Sequence, residues 1–133
     1  MEAFLGTWKM EKSEGLEDVM ERLKVDMQLR KMATSLKPDL IISDLGDGKY
    51  SMRLDSPSSK SECSFKLGEK FKEMTPDKRE VSSLITLENG VMKQEQVGED
   101  ITVHIERVVE GNELKATGRV DKAVCVLTFT KVA

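Results

Sequence analysis

Arg107 is the residue whose type and position most clearly suggest chemistry. It lies in the segment 101–109, where alternation places it on the same face as four apolar residues, Ile101, Val103, Ile105 and Val109. An unpaired buried charge costs several kcal/mol, and arginine does not shed its proton to avoid that cost. A guest carboxylate would satisfy the guanidinium through a charge-assisted hydrogen bond. Two alternatives stay open: a local twist or bulge that turns Arg107 outward, or an internal glutamate partner.

The sequence offers little support for catalysis or for a metal site. The single histidine, His104, falls on the polar face of its segment beside Glu106, which is typical of an exposed surface residue. One histidine and two separated cysteines cannot supply a zinc site with the usual spacings. No nucleophile elbow, phosphate loop or dinucleotide fingerprint is present. We therefore expect no enzyme activity, no cofactor and no metal.

Length, charge and cysteine content set further limits. With 133 residues, the chain fits one domain over 1–133. Its 38% hydrophobic and 34% charged residues are lean for a solid core, which either a hollow interior or a small, surface-rich domain would explain. The net charge of −3 argues against nucleic-acid binding. No signal-peptide pattern follows Glu2, so we expect a cytoplasmic protein with Cys63 and Cys125 as free thiols.

The elements that would position Arg107 begin with a strand around Trp8 and two short amphipathic helices over about 14–36. Ser13 is the expected N-cap of the first helix. Pro38 ends the second, because the residue before a proline avoids the helical region. The apolar stripe of the first helix is Leu16, Val19, Met20 and Leu23, and that of the second is Val25, Leu29, Met32, Ala33 and Leu36.

From Leu40 onward the pattern changes to strands. Turn signals recur about every ten residues, and Asn89-Gly90 is typical of a type I′ hairpin turn. Nine strands after the helices and one before them predict an all-β, ten-stranded antiparallel up-and-down barrel. The helices cannot enter such a sheet, so we expect a lid over its open end; packing as ordinary core on a closed sheet is the alternative. The interior of such a barrel suits a small apolar guest.

Several stretches together resemble the intracellular fatty-acid-binding proteins of the calycin superfamily, especially those of flatworms and tapeworms. These are Phe4-Leu5-Gly6-Thr7-Trp8-Lys9, the helix pair, Lys37-Pro38, Cys63-Ser64-Phe65-Lys66-Leu67-Gly68-Glu69 and Asp77-Lys78-Arg79. The resemblance runs the full length. It implies a clamshell barrel with a helix-turn-helix cap and one cavity for a long-chain fatty acid or similar lipid. It also implies a monomer that makes transient membrane contact through the cap.

The resemblance also assigns roles to individual residues. The family's internal arginine matches Arg107, and its portal arginine, in an Asp-x-Arg setting, matches Arg79 with Asp77 two residues before it. The family's apolar cap contacts match Leu16, Met20, Met32 and Pro38.

The last strand departs from the family pattern. The family commonly carries Arg-x-Tyr there, and both side chains grip the ligand carboxylate, whereas this chain has Leu127 and Phe129 at those positions. Two of three head-group donors are thus replaced by apolar residues. The expected function is a carrier that holds and shuttles a long-chain fatty acid. The alternative is a carrier for an uncharged lipid such as a retinoid or a fatty alcohol.

The cap also carries a small basic cluster, Lys24, Arg30 and Lys31. It could contact anionic lipid during ligand transfer or serve as a structural nuclear signal, although most such clusters are solvated helix faces.

Overall fold

The structure is a computed structural model that describes residues 2–22, 38–56, 59–74, 80–98 and 101–132. A 3-10 helix, Glu2–Phe4, precedes the first strand, and an α-helix, α1, spans Leu16–Arg22. The strands are β1 Gly6–Glu14, β2 Asp39–Gly46, β3 Lys49–Ser56, β4 Ser59–Lys66, β5 Phe71–Met74, β6 Glu80–Glu88, β7 Val91–Val97, β8 Thr102–Glu110, β9 Glu113–Val120 and β10 Ala123–Lys131. Within these ranges, no helix has the length and apolar character needed to cross a membrane.

The ten strands form one antiparallel sheet in the order β4-β3-β2-β1-β10-β9-β8-β7-β6-β5. Consecutive strands pair with each other, except that β4 and β5 are not adjacent in this order, and β1 pairs with β10. Strands β4 and β5 lie at the two ends of this order. The barrel is therefore nearly closed, and the gap in its hydrogen bonding lies between these two strands. The prediction of ten antiparallel strands, one before the helical segment and nine after it, is confirmed.

The hairpin turns follow from their residue types. Asn89 and Gly90 both have positive φ, 50° and 80°, as the type I′ turn between β6 and β7 requires. The turn fixes the register of β6 and β7, in which Val91 lies opposite Glu88. In the next pair of strands, β7 and β8, Arg107 lies opposite Met92.

The predicted N-cap at Ser13 is wrong, because β1 continues to Glu14. A shift in register after Met10 places Ser13 opposite Leu127 of β10. The chain then turns at Gly15, which has φ 72° and whose carbonyl accepts the first helical hydrogen bond from the Val19 amide, at 3.3 Å. Sequence analysis therefore started the helix about two residues too early.

The apolar stripe of α1 is confirmed where the structure describes it. Val19 and Met20 are buried and Leu16 is partly buried, whereas the opposite face is exposed. Val19 packs with Val120, the last residue of β9, and with Cys125, near the start of β10. One helix of the two-helix cap is thus present, and the second, expected up to residue 36, lies outside the described residues.

Two apolar clusters occupy opposite ends of the strands. The smaller cluster lies under α1 and contains Val19, Val103, Val120 and Cys125. The larger cluster lies toward the other end, where the Trp8 indole N–H donates to the Phe4 carbonyl at 3.0 Å. Its buried members are Phe4, Trp8, Met10, Leu40, Ile42, Met52, Phe65, Ile85, Met92, Leu114, Ala116 and Phe129.

Candidate functional site

Arg107 lies between these two clusters, at the middle of β8. Val103, earlier on the strand, belongs to the cluster under α1, and Val109, later on it, packs against the larger cluster. The Arg107 side chain is 8% exposed, on the same face as these two valines. The alternative in which a twist or bulge turns Arg107 outward is therefore excluded.

The guanidinium is linked to an internal glutamate through an amide. Arg107 Nη1 donates to Gln94 Oε1 at 2.9 Å, and Gln94 Nε2 donates to Glu73 Oε2, also at 2.9 Å. Glu73 accepts two more hydrogen bonds, from Ser83 Oγ at 2.5 Å and from Gln96 Nε2 at 3.4 Å. The alternative of an internal glutamate partner is therefore confirmed in an indirect form, because Gln94 bridges Arg107 and Glu73. We call Glu73, Ser83, Gln94, Gln96 and Arg107 the interior polar cluster.

Burial dominates the protonation behaviour inside the barrel. It lowers the pKa of Arg107 to about 10, against the opposing effects of Cys63 and Glu73, so the guanidinium stays cationic at neutral pH. Burial, followed by the charge of Glu73, raises the pKa of Cys63 to about 12, so this thiol stays neutral. Burial also raises the pKa of Cys125. Both cysteines are free, as the sequence predicts.

Leu127 and Phe129 occupy the neighbouring part of the wall. Ala116 of β9 faces Arg107 on one side and Leu127 on the other, so the three residues form one row across β8, β9 and β10. Phe129 is buried between Leu114 and Met10. The residues at the Arg-x-Tyr positions therefore lie near Arg107 in the barrel wall, but they contribute only apolar surface.

The remaining residues predicted for the site lie elsewhere. Leu16 and Met20 are on α1, and Pro38 is partly buried immediately before β2. Met32, Asp77 and Arg79 lie outside the described residues. The structure therefore brings together Arg107, Leu127 and Phe129 in one part of the wall, with Leu16 and Met20 on the helix at one end.

Sequence analysis missed four members of the interior polar cluster. The signal that identified Arg107 was also available for them, because each is a polar residue at a position where the alternation of its strand predicts an inward-facing apolar residue. Ser83 lies between Val81 and Ile85, Gln94 and Gln96 follow Met92 at alternate positions, and Glu73 comes two residues after Phe71.

Elsewhere the described residues show little that resembles a reactive centre. His104 Nδ1 lies 3.8 Å from Glu95 Oε2, and both side chains are at least half exposed. Within the described ranges, no group of three or more His, Cys, Asp or Glu side chains is arranged to hold a metal ion.

A nearly closed, ten-stranded antiparallel barrel with a helix at one end and a mostly apolar interior places the protein in the class of small β-barrels, in which larger barrels enclose ligand cavities. The model of the Lipocalin / cytosolic fatty-acid binding protein family matches residues 5–132. The chain belongs to this family.

Individual relatives and solved structures agree with this assignment. The chain is 67% identical to fatty acid-binding protein homolog 1 of Echinococcus granulosus over 133 residues, covering 100% of both chains, and 63% identical to homolog 2 of that organism over 131 residues, covering 98% of both. The crystal structure of the Echinococcus granulosus fatty-acid-binding protein 1 matches with a TM-score of 0.98 over 100% of both chains. The Schistosoma mansoni fatty acid binding protein in complex with arachidonic acid matches with a TM-score of 0.94 at 30% identity, covering 100% of this chain and 98% of the other.

Proposed function

We propose that this protein holds a long-chain fatty acid inside its barrel and shuttles it between sites in the cytoplasm. The observation that carries the proposal is the buried Arg107 guanidinium, located between two apolar clusters in a barrel wall. Membership of the family, the names of the Echinococcus granulosus relatives and the arachidonic acid complex of the Schistosoma mansoni protein support the same ligand class.

In this proposal Arg107 anchors the carboxylate, and Leu127 and Phe129 contact the hydrocarbon chain. Leu16, Met20, Met32 and Pro38 form the apolar contacts of the cap, and Asp77 with Arg79 lies at the portal. One lipid-binding domain spans 1–133, with the helical cap over about 14–36.

The hydrocarbon chain supplies most of the binding free energy. A buried methylene contributes about 0.8 kcal/mol, so a sixteen-carbon chain contributes on the order of 12 kcal/mol before the costs of association are subtracted. A hydrogen bond to a charged group contributes roughly 1.5 to 3 kcal/mol, which corresponds to about ten- to a hundredfold in affinity. Leu127 and Phe129 therefore reduce selectivity for a carboxylate without preventing lipid uptake.

The apolar side chains at positions 127 and 129 are also the reason to consider an uncharged lipid, such as a retinoid or a fatty alcohol. The relatives favour the acid, because they are named for fatty acids and match this chain over nearly its whole length. A fatty alcohol is consequently the best control ligand for the carboxylate.

The protein acts as a carrier without chemical turnover, as a monomer, and contacts membranes transiently through its cap. The exposed face of α1 is mainly acidic, with Glu17, Asp18 and Glu21 beside Arg22. Attraction to an anionic bilayer would thus depend on the basic cluster Lys24, Arg30 and Lys31, which lies outside the described residues.

Binding is tested by removing bound lipid from the purified protein and titrating it with hexadecanoic acid in the presence of a fluorescent apolar probe. We expect the acid to displace the probe with a stoichiometry of about one. Failure of the acid to displace the probe, with the barrel intact by circular dichroism, would contradict the proposal.

A further inference from the structure

Arg107 keeps most of its hydrogen-bonding capacity inside the barrel. A guanidinium carries more N–H donors than a single acceptor can use. Among the residues that the structure describes, Gln94 is its one hydrogen-bond partner, and the Gln94 Oε1 atom accepts from Nη1 at 2.9 Å. Burial leaves the positive charge in place, since the lowered pKa of Arg107, about 10, is still well above neutral pH. Over this part of the chain, the guanidinium therefore has charge and donors left for a guest.

The neighbouring carboxylate, Glu73, is satisfied by uncharged donors. Ser83, Gln94 and Gln96 all donate to it, and all three are buried. Hydrogen bonds of this kind stabilise a carboxylate without a cation in contact with it. Glu73 and Arg107, both of which the structure describes, share no hydrogen bond or ion pair of their own. Glu73 thus acts on Arg107 through its charge but occupies none of its donors.

Gln94 separates these two charged groups. Its side chain is 2% exposed, its Oε1 accepts from Arg107, and its Nε2 donates to Glu73 at 2.9 Å. The amide serves both neighbours in this orientation only, because a guanidinium only donates and a carboxylate only accepts. The two neighbours therefore hold the amide in place, and the amide fills the position from which a carboxylate would pair with Arg107.

The residue type at position 94 consequently determines how much of Arg107 a guest can use. Glutamate has nearly the same shape as glutamine, but its carboxylate would pair with the guanidinium directly. Such a charge-assisted pair would neutralise Arg107 and occupy the donors that a guest carboxylate needs. The neutral amide takes one donor and leaves the charge.

We propose that Gln94 is a specificity-determining residue whose neutral amide keeps Glu73 away from the guanidinium, so that Arg107 remains available to a guest carboxylate. This inference rests on the proposed function. Position 94 governs binding of a fatty acid but not of the alcohol of equal length, because the alcohol carries no charge for Arg107 to offset.

The test exchanges the two side chains in the double variant Glu73→Gln/Gln94→Glu. An amide at position 73 still accepts from Ser83 and Gln96 and can donate to a carboxylate at position 94, so every hydrogen bond of the interior polar cluster remains possible. The net charge is unchanged, and only the position of the negative charge moves. Displacement of a fluorescent apolar probe measures hexadecanoic acid and hexadecanol. We expect the affinity for the acid to fall at least tenfold and that for the alcohol to stay unchanged.

Glu73→Gln alone is the matched control, because it removes the carboxylate from position 73 without placing one at position 94. It should bind the acid at least as tightly as the unmodified protein does. Weaker acid binding by this control would overturn the inference, and so would undiminished acid binding by a folded double variant. Equal losses for acid and alcohol in the double variant would overturn it too, since they would show a general effect on the barrel.

If circular dichroism shows that the double variant does not fold, Gln94→Met takes its place. Methionine is unbranched and uncharged, so Glu73 can then close directly onto Arg107. Acid affinity should fall several-fold and return when Glu73→Gln is added; no fall, or no return, would overturn the inference. An unmodified protein that binds neither ligand, or both equally, would instead contradict the proposed function, and this inference with it.

Discussion

A guanidinium inside a barrel must be hydrated or paired, and Arg107 is paired through Gln94 with Glu73. The sequence predicted its inward direction from alternation alone, since Val103 and Val109 share its phase. Its partners could not be predicted with the same certainty, because contacts between β5, β7 and β8 depend on register and on side-chain rotamers. Leu127 and Phe129 were identified by comparison with a family pattern, and the structure adds that Leu127 shares a row with Arg107.

Arg107→Gln should weaken hexadecanoic acid by at least tenfold and leave hexadecanol nearly unchanged, because only the acid uses the positive charge. Probe displacement measures both affinities. Arg119→Gln is the control, since Arg119 is exposed on the neighbouring strand β9, and it should leave both affinities unchanged. Parallel losses for acid and alcohol in Arg107→Gln would show that Arg107 supports the fold and does not select the head group.

Cys63 gives a prediction for alkaline pH. The folded protein keeps the Cys63 proton up to a pKa of about 12, whereas the unfolded chain loses it near 9, so folding stability falls with rising pH across this interval. Arg107 has the opposite effect above its lowered pKa, because the unfolded chain then holds the extra proton. A Cys63→Ser reference removes the thiol contribution alone.

Between pH 8 and pH 10, the unmodified protein should lose about 1 kcal/mol more unfolding free energy than Cys63→Ser does. Urea unfolding at both pH values measures the difference. An equal change in the two proteins would mean that the folded state does not protect this thiol from ionisation.

The element that sequence analysis described least accurately is the junction between β1 and α1. The apolar stripe of α1 was predictable because apolar residues spaced at 3.6 residues per turn indicate a helix wherever its first residue lies. The start of the helix was not, because Ser13 is both a good N-cap and an acceptable strand residue. Pairing with Leu127 decides between these roles, and that pairing involves residues more than a hundred positions apart.

Gly15→Ala should destabilise the protein by about 2 kcal/mol or more, because Gly15 combines a φ of 72° with a tight contact. A Cβ there would lie 2.2 Å from the Val124 carbonyl oxygen. Gly111→Ala is the matched control: its φ is 61°, but open space surrounds the position, so the cost is about 1 kcal/mol from backbone strain alone. Equal midpoints in urea for the two variants would show that the contact with Val124 is relieved at little cost.

The whole barrel was the most predictable level of organisation. Regular turn signals and alternation specify ten strands, and a meander of antiparallel hairpins leaves few ways to connect them. The polar interior was less predictable, because Glu73, Ser83 and Gln94 come from three different strands and become neighbours only when the barrel forms.

In the proposed function, ligand transfer to membranes depends on the cap and therefore belongs to the scale of the whole molecule. Replacing Lys24, Arg30 and Lys31 together by glutamate should slow fatty-acid transfer to anionic vesicles at low salt and leave transfer to neutral vesicles unchanged, because only the anionic surface attracts these cations. A fluorescent fatty acid reports the transfer rate. Equal transfer rates for the variant and the unmodified protein on both vesicle types would show that the basic cluster does not contribute to transfer.

The most direct measurement is a displacement titration of the delipidated protein with hexadecanoic acid and with hexadecanol, at one pH and with one probe. If Arg107 anchors a carboxylate inside an apolar barrel, the acid binds at least tenfold more tightly than the alcohol. Equal affinities would contradict a fatty-acid carrier and would indicate a container for neutral lipids, in which Glu73 alone satisfies the charge of Arg107.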